Sequence, residues 1–317
     1  MTPILPNYCS ILENLYSQVY YISMKEYLSY FSAAAKWDIP YIDDVLGLKI
    51  TETGSSDITV SKNSARYRNN GKFIHSCELA LPAGAVVTRN DNTVASPELL
   101  FLELASKLSI HRLILLGLQL CAHAPGRPSE AITTKQKLNK FLADTPGHLG
   151  HRKALRAMKY VENGSASIME SLAYMILTLP HALGGYGLNG AVFNHEIKLK
   201  SEAGTRLGQR RCFTDLYYKQ AKLAVEYESL KFHNSPLEQG KDAVRLAVLD
   251  RQGVDVMRLS TIQLYDTYSC RDFAFNLAAR LGKRIHIRTK RFDEMHVLMR
   301  ELLPDRKSVP KPKDDGL

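Results

Sequence analysis

Phe213-Thr-Asp-Leu-Tyr-Tyr-Lys-Gln-Ala-Lys-Leu-Ala-Val-Glu-Tyr-Glu-Ser229 reads as two short strands joined by a turn. Asp215 enters the first run, and Glu226 and Glu228 lie in the second. Residues i and i+2 of a strand share a face, so Glu226 and Glu228 point the same way. If the two runs pair as a hairpin, Asp215 lies beside them. Three carboxylates converging among Leu216, Leu223 and Val225 are costly to bury unless a cation neutralises them. Hard oxygen donors suit Mg²⁺ or Mn²⁺, and Asp215, Glu226 and Glu228 are the expected metal ligands.

Working outward, the 317 residues leave room for two domains, and 45% hydrophobic against 23% charged residues suits a chain with packed cores. The apolar run Leu113–Cys121 is too short to span a bilayer, so no membrane partner is expected. The beginning of the sequence lacks the plan of a secretory signal. Cys9, Cys77, Cys121, Cys212 and Cys270 follow no disulfide spacing, which points to a cytoplasmic protein. The net charge of +10 favours a polyanionic partner. Arg206, Arg210 and Arg211 precede the acidic hairpin, and Lys283, Arg284, Arg288, Lys290 and Arg291 follow it. Basic flanks around an acidic centre suit a phosphodiester substrate; the alternative is a solvated basic surface.

Residues 10 to 35 read as Tyr-rich helices anchored by Leu15, Val19, Ile22 and Tyr27. Thr51 to Val87 reads as small strands such as Ile58-Thr-Val60 and Lys72-Phe-Ile-His75, separated by turns. Ser96 and Pro97 open a leucine-rich helix. Further helices are expected near Leu113–Cys121, Thr133–Leu142, Arg152–Val161 and from Ser167 to Leu179. Val192–Leu199 reads as a strand before the hairpin. A helix from about Pro236, a strand at Val254–Leu259 and one long helix over Thr261–Leu281 follow it. This order indicates an α/β unit with a mixed sheet flanked by helices. The expected organisation is an α+β accessory domain over 1–150, an α/β domain over 151–303 and a mobile tail over 304–317.

These residues resemble the very-short-patch-repair endonuclease family of the PD-(D/E)xK nuclease superfamily. The matching pieces run from Ala154 to Arg284: Ser165–Glu170, Gly184-Gly-Tyr-Gly-Leu188, Asn194, Asp215, Glu226-Tyr-Glu228, His233, Asp242 with Arg245, Gly253 and Leu281-Gly-Lys-Arg284. More weakly, Val94–Ala105 and Leu113–Gly117 resemble the N-terminal region of abortive-infection antitoxin proteins. The resemblance implies a restriction-endonuclease-like fold, with Glu170 as the helical acid and Asp215 and Glu226 as metal ligands. Glu228 stands where such relatives carry Asp and the wider superfamily carries Lys. Lys231 cannot substitute without a bend, since its odd offset from Glu226 puts it on the opposite strand face.

Each candidate has a second reading. The three hairpin carboxylates are a metal site or an acidic strand edge. Glu170 is a catalytic acid or the far half of a capping box with Ser167. His233 is a proton carrier or an exposed loop histidine. Asp242 and Arg245, spaced i,i+3, form a surface ion pair, or Arg245 touches phosphate or braces a carboxylate of the site. Tyr227 is expected in the core, and Tyr218 packs or stacks on a base. Arg210, Arg211, Arg245, Lys283 and Arg284 would hold nucleic-acid phosphates. Two functions remain open. One is a Mg²⁺-dependent (or Mn²⁺-dependent) DNA endonuclease of bacterial defence or repair. The other is a catalytically inactive DNA-binding regulator or antitoxin-like protein with a partner toxin or defence protein.

Overall fold

The computed structural model describes residues 26–50, 56–199, 210–228 and 236–304. The chain divides into two units, one formed by residues 1–120 and 132–161, the other by 121–131 and 162–317. Both are α/β.

In the first unit, β1 (Glu26–Leu28) leads to the short helices α1 (Tyr30–Ala34) and α2 (Ile42–Leu46). Strands β2 (Ser56–Val60), β3 (Lys72–Ser76), β4 (Val86–Arg89) and β5 (Asn92–Ala95) complete a mixed sheet of order β3-β2-β1-β5-β4. Tyr27, expected on a helix, sits in β1 opposite Thr59; three extended residues are too few to show a period. Leu15, Val19 and Ile22 lie outside the described residues. Helix α3 (Pro97–Leu104) begins as expected, with Ser96 Oγ accepting from Leu99 N at 3.2 Å and Pro97 in the first turn. Its leucines 99, 100, 102 and 104 are all buried. Helices α4 (Ile110–Leu120), α5 (Lys135–Ala143) and α6 (His151–Met158) pack with it. Helix α6 therefore belongs to the first unit, where its contacts are made, although the expected boundary lay just before it.

The second unit opens with α7 (Ile168–Thr178), which ends before Pro180. Three antiparallel strands follow: β6 (Ala191–Lys198), β7 (Arg211–Tyr218) and β8 (Leu223–Glu228). The chain then crosses through α8 (Pro236–Arg251) to β9 (Asp255–Ser260), which joins β8 in parallel, giving the order β6-β7-β8-β9. A parallel return needs such a crossover, and α8 supplies it. Beneath that helix Ile197, Tyr217, Ala224, Leu249 and Val254 form a core.

The single long helix expected from Thr261 is two helices, α9 (Thr261–Tyr265) and α10 (Thr267–Arg280). Asp266 leaves the helical conformation at ψ 124° and caps α10 by accepting from Ser269 N at 2.8 Å. A capping residue inside an amphipathic run does not disturb its periodicity, so the break is hidden in the sequence. Helix α11 (Phe292–Arg300) was not anticipated. It explains the Gly184–Gly187 loop: a Cβ on Gly184, whose φ is 80°, would stand 2.4 Å from His296 N. The two backbones touch, and His296 Nδ1 donates to Gly184 O at 2.7 Å.

Candidate functional site

The two runs do pair as a hairpin, with Leu216 opposite Val225 and Tyr218 opposite Leu223. Backbone pairing ends at Leu216. Beyond it, Asp215 places its own carboxylate in the ladder, where Oδ2 accepts from Tyr227 N at 2.8 Å. On the other side of β7, Asn194 has a left-handed backbone, φ 43°, between the Phe193–Leu216 and His195–Thr214 pairs. Its side chain donates to Glu170 Oε2 at 3.1 Å and to Gly164 O at 2.7 Å. The acids thus gather where the strands stop pairing, a place at which strand backbone can be re-aimed.

Glu170 takes part in a helix cap, the second of the two readings its position allowed, and also faces the hairpin acids. Ser167 Oγ accepts from Glu170 N at 3.1 Å, and Glu170 Oε2 reaches back to Ala166 N at 3.0 Å rather than to Ser167 N. That is a capping box slipped by one residue. The same buried carboxyl lies close enough to Asp215 to act on it. Burial, then the charge of Glu170, push the Asp215 carboxyl up to about 7, against the lowering effect of Tyr227 N–H. Burial raises Glu170 as well, opposed by its three donors. Two carboxyls in one low-dielectric site repel each other when both are ionised, so each disfavours the charged form of the other.

Glu226 and Glu228 part company from this pair. Arg245, from α8, grips both oxygens of Glu226, Nη1 to Oε2 at 2.8 Å and Nη2 to Oε1 at 2.5 Å. Its Nη2 also donates to Phe213 O at 2.9 Å. Asp242 Oδ1 is farther away, 3.8 Å from Arg245 Nη1, so the pair inferred from the i,i+3 spacing is secondary. Arg245 braces a carboxylate of the site, one of the two readings its position allowed. Arg258, on β9, pairs with Glu228 at 2.7 Å and also with Asp242. No sequence argument singled out Arg258. The signal existed only in register, since parallel pairing sets Arg258 beside Glu226.

These contacts bear on a dication. Among the described residues, no group of three or more His, Cys, Asp or Glu is disposed to hold a metal ion. Both Glu226 oxygens face a guanidinium, Glu228 is turned to a second one, and both oxygens of Glu170 accept hydrogen bonds. Mg²⁺ demands several oxygens in near-octahedral array. As they stand, the residues do not fit a resident ion. His233 and Lys231 lie outside the described residues.

The candidate phosphate contacts fall into two places. Arg210, Arg211 and Arg245 line one open cleft of about 680 Å³ with Pro125, Cys212 and Phe213. Arg211 lies 5.5 Å over the Phe213 ring, and its Nη1 stands 3.5 Å from Glu196. Lys283 instead lines a concavity with Asn189, Lys219 and Arg280, at the far end of β7. Its Nζ is held by Asn189, at 2.7 Å from the backbone O and 3.0 Å from Oδ1. A strand the length of β7 separates the two by roughly 20 Å. Arg284 is exposed and lines neither. Tyr218 packs, 4% exposed, with its hydroxyl on Leu188 O. Tyr227 is partly buried, its hydroxyl 2.8 Å from Thr261 Oγ1.

No helix among the described residues is long and apolar enough to cross a membrane. None of the described cysteines 77, 121, 212 and 270 forms a disulfide. Comparison with models of protein families, with curated proteins and with solved structures found no match to this chain.

Proposed function

We propose that the second unit binds the phosphodiester backbone of DNA along the Arg210–Arg211–Arg245 cleft and serves as a nucleic-acid-binding regulator. The observation that carries this reading is the convergence of three guanidinium groups on one open cleft beside an aromatic ring. Arg210 and Arg211 are exposed, and Arg211 meets Glu196 only at the solvent surface, so both can exchange solvent ions for phosphate. Arg245 is oriented by Glu226 and Phe213 O, so one donor of the cleft is already fixed in place. Phe213 offers a ring face that suits a base as well as an arginine.

The test is titration of a labelled DNA duplex at several salt concentrations. The wild-type chain loses affinity linearly in log salt, and Arg210→Ala/Arg211→Ala shallows the slope by about 0.9 for each phosphate contact removed. A slope unchanged in the double variant sinks the proposal.

Metal-assisted hydrolysis of DNA is the second reading, and one observation favours it. Asp215 and Glu170 are buried together, and their mutual repulsion is relieved by a proton or by a cation. Strand cleavage with Mg²⁺ or Mn²⁺, lost in both Asp215→Ala and Glu226→Ala, would make this the leading function. DNA retention that survives those substitutions, without strand breaks, supports the regulator.

A further inference from the structure

A metal cage and a guanidinium pocket ask for the same surroundings: carboxylate and carbonyl oxygens converging on one point. Around Arg245 those oxygens are both of Glu226, the Phe213 carbonyl and, at longer range, Asp242 Oδ1. Each is a hard donor of the kind a dication would take. Here each faces an N–H instead. The arrangement is partly enclosed, with 23% of the Arg245 side chain and 12% of the Glu226 side chain exposed.

We propose that Arg245 is the resident cation of this cluster, its guanidinium standing in the place of a metal ion and closing the acids to one. The charges support the exchange. Three carboxylates, Glu226, Glu228 and Asp242, are met by two guanidiniums, Arg245 and Arg258, so positive charge already stands beside them. A guanidinium stays charged at every pH a folded protein meets, so Arg245 does not leave by losing a proton. Its planar fork matches the two Glu226 oxygens, whereas a compact ammonium would satisfy one at a time. The hairpin acids are thus met by positive charge that the protein itself supplies. This inference rests on the Glu226–Arg245 contacts and stands whether or not the cleft takes DNA.

Titration of the full chain with Mn²⁺, following free ion by electron paramagnetic resonance, tests it with no assay of activity. The wild type binds no Mn²⁺ that depends on Asp215 or Glu226. Arg245→Met, which removes the charge and keeps much of the volume, takes up Mn²⁺ at least about tenfold more tightly than wild type, because a cation is no longer repelled from the acids. That gain disappears in Arg245→Met/Asp215→Asn. Stoichiometric wild-type binding abolished by Asp215→Asn or Glu226→Gln overturns the proposal. So does a folded Arg245→Met chain with no gain. Should Arg245→Met fail to fold, Arg245→Gln replaces it, and the wild-type titration with Asp215→Asn beside it still decides. Loss of DNA affinity in Arg245→Met leaves this outcome untouched, since ion uptake and DNA retention are read separately.

Discussion

Each unit buries a carboxyl group, and the two are treated in opposite ways. In the first unit Glu103 lies on α3 with its oxygens taken by neutral donors, Tyr27 OH and Tyr30 N, each at 3.0 Å. Burial, the largest cause, pushes it up to about 8. It is an acid kept neutral by its surroundings near neutrality. In the second unit Glu226 is largely enclosed, its side chain 12% exposed, and it meets a guanidinium fork. The difference shows what decides the fate of a buried acid. A fixed cation supplies counter-charge directly, whereas the neutral donors around Glu103 do not overcome its desolvation.

The largest effect that would break this comparison is in the pH dependence. The folded value of Glu103 is raised above its ordinary one, so the native state holds a proton that the unfolded chain gives up between about 4.5 and about 8. Stability from this group is therefore greatest below that window and falls as pH rises through it, by several kcal/mol for a shift of this size. Glu103→Gln, neutral throughout, flattens the fall; the Tyr27 hydroxyl can turn to accept from the new amide. Urea unfolding at closely spaced pH values measures it. Asp215→Asn flattens a narrower span, from about 3.8 to about 7, with the same sign. Equal slopes in wild type and Glu103→Gln would mean that Glu103 is ionised after all and that the contrast between the units is false.

Removing charge from the paired acid should lower overall stability. Glu226→Gln leaves the half-buried Arg245 with an amide in place of its counter-charge, at a cost of about 3 kcal/mol. Replacing both members, as in Glu226→Gln/Arg245→Met, recovers part of the loss, because the stranded charge is gone. A double-mutant cycle by urea denaturation isolates that coupling. A coupling near zero would show that the fork is a surface contact and that the second unit has no fixed cation.

How much of this was legible in sequence depends on whether the signal was local. The hairpin itself, the Ser96 cap and the strands flanking the acidic run follow from alternation and capping, which nearest neighbours determine. The guanidinium partners do not: Arg245 and Arg258 reach the acids only because α8 crosses over and β9 joins in parallel, a non-local pairing with no periodic trace. Three carboxylates on a hairpin therefore read as a metal site when the compensating charges lie on other elements. Glu103 was missed for another reason. It sits in the leucine-rich run of α3, and the argument applied to Glu226, an acid among apolar neighbours, applied equally there. One helix acid among leucines carries no motif; only its burial against Tyr27 and Tyr30 distinguishes it.

The smallest effect lies at the rim of the same network and sets its boundary. Glu228 pairs with Arg258 at 2.7 Å, but the side chains are 45% and 36% exposed. Water screens such a pair, and holding two long side chains together costs entropy, so Glu228→Gln should change stability by less than about 0.5 kcal/mol. Arg258 keeps Asp242 as a second partner, which limits the loss further. Adding salt should shrink even this difference, while the Glu226–Arg245 coupling, shielded from solvent, persists. If Glu228→Gln cost as much as Glu226→Gln, the acids would have to act as one cooperative unit reaching to the surface, and the division between an enclosed fork and a solvated rim would fail.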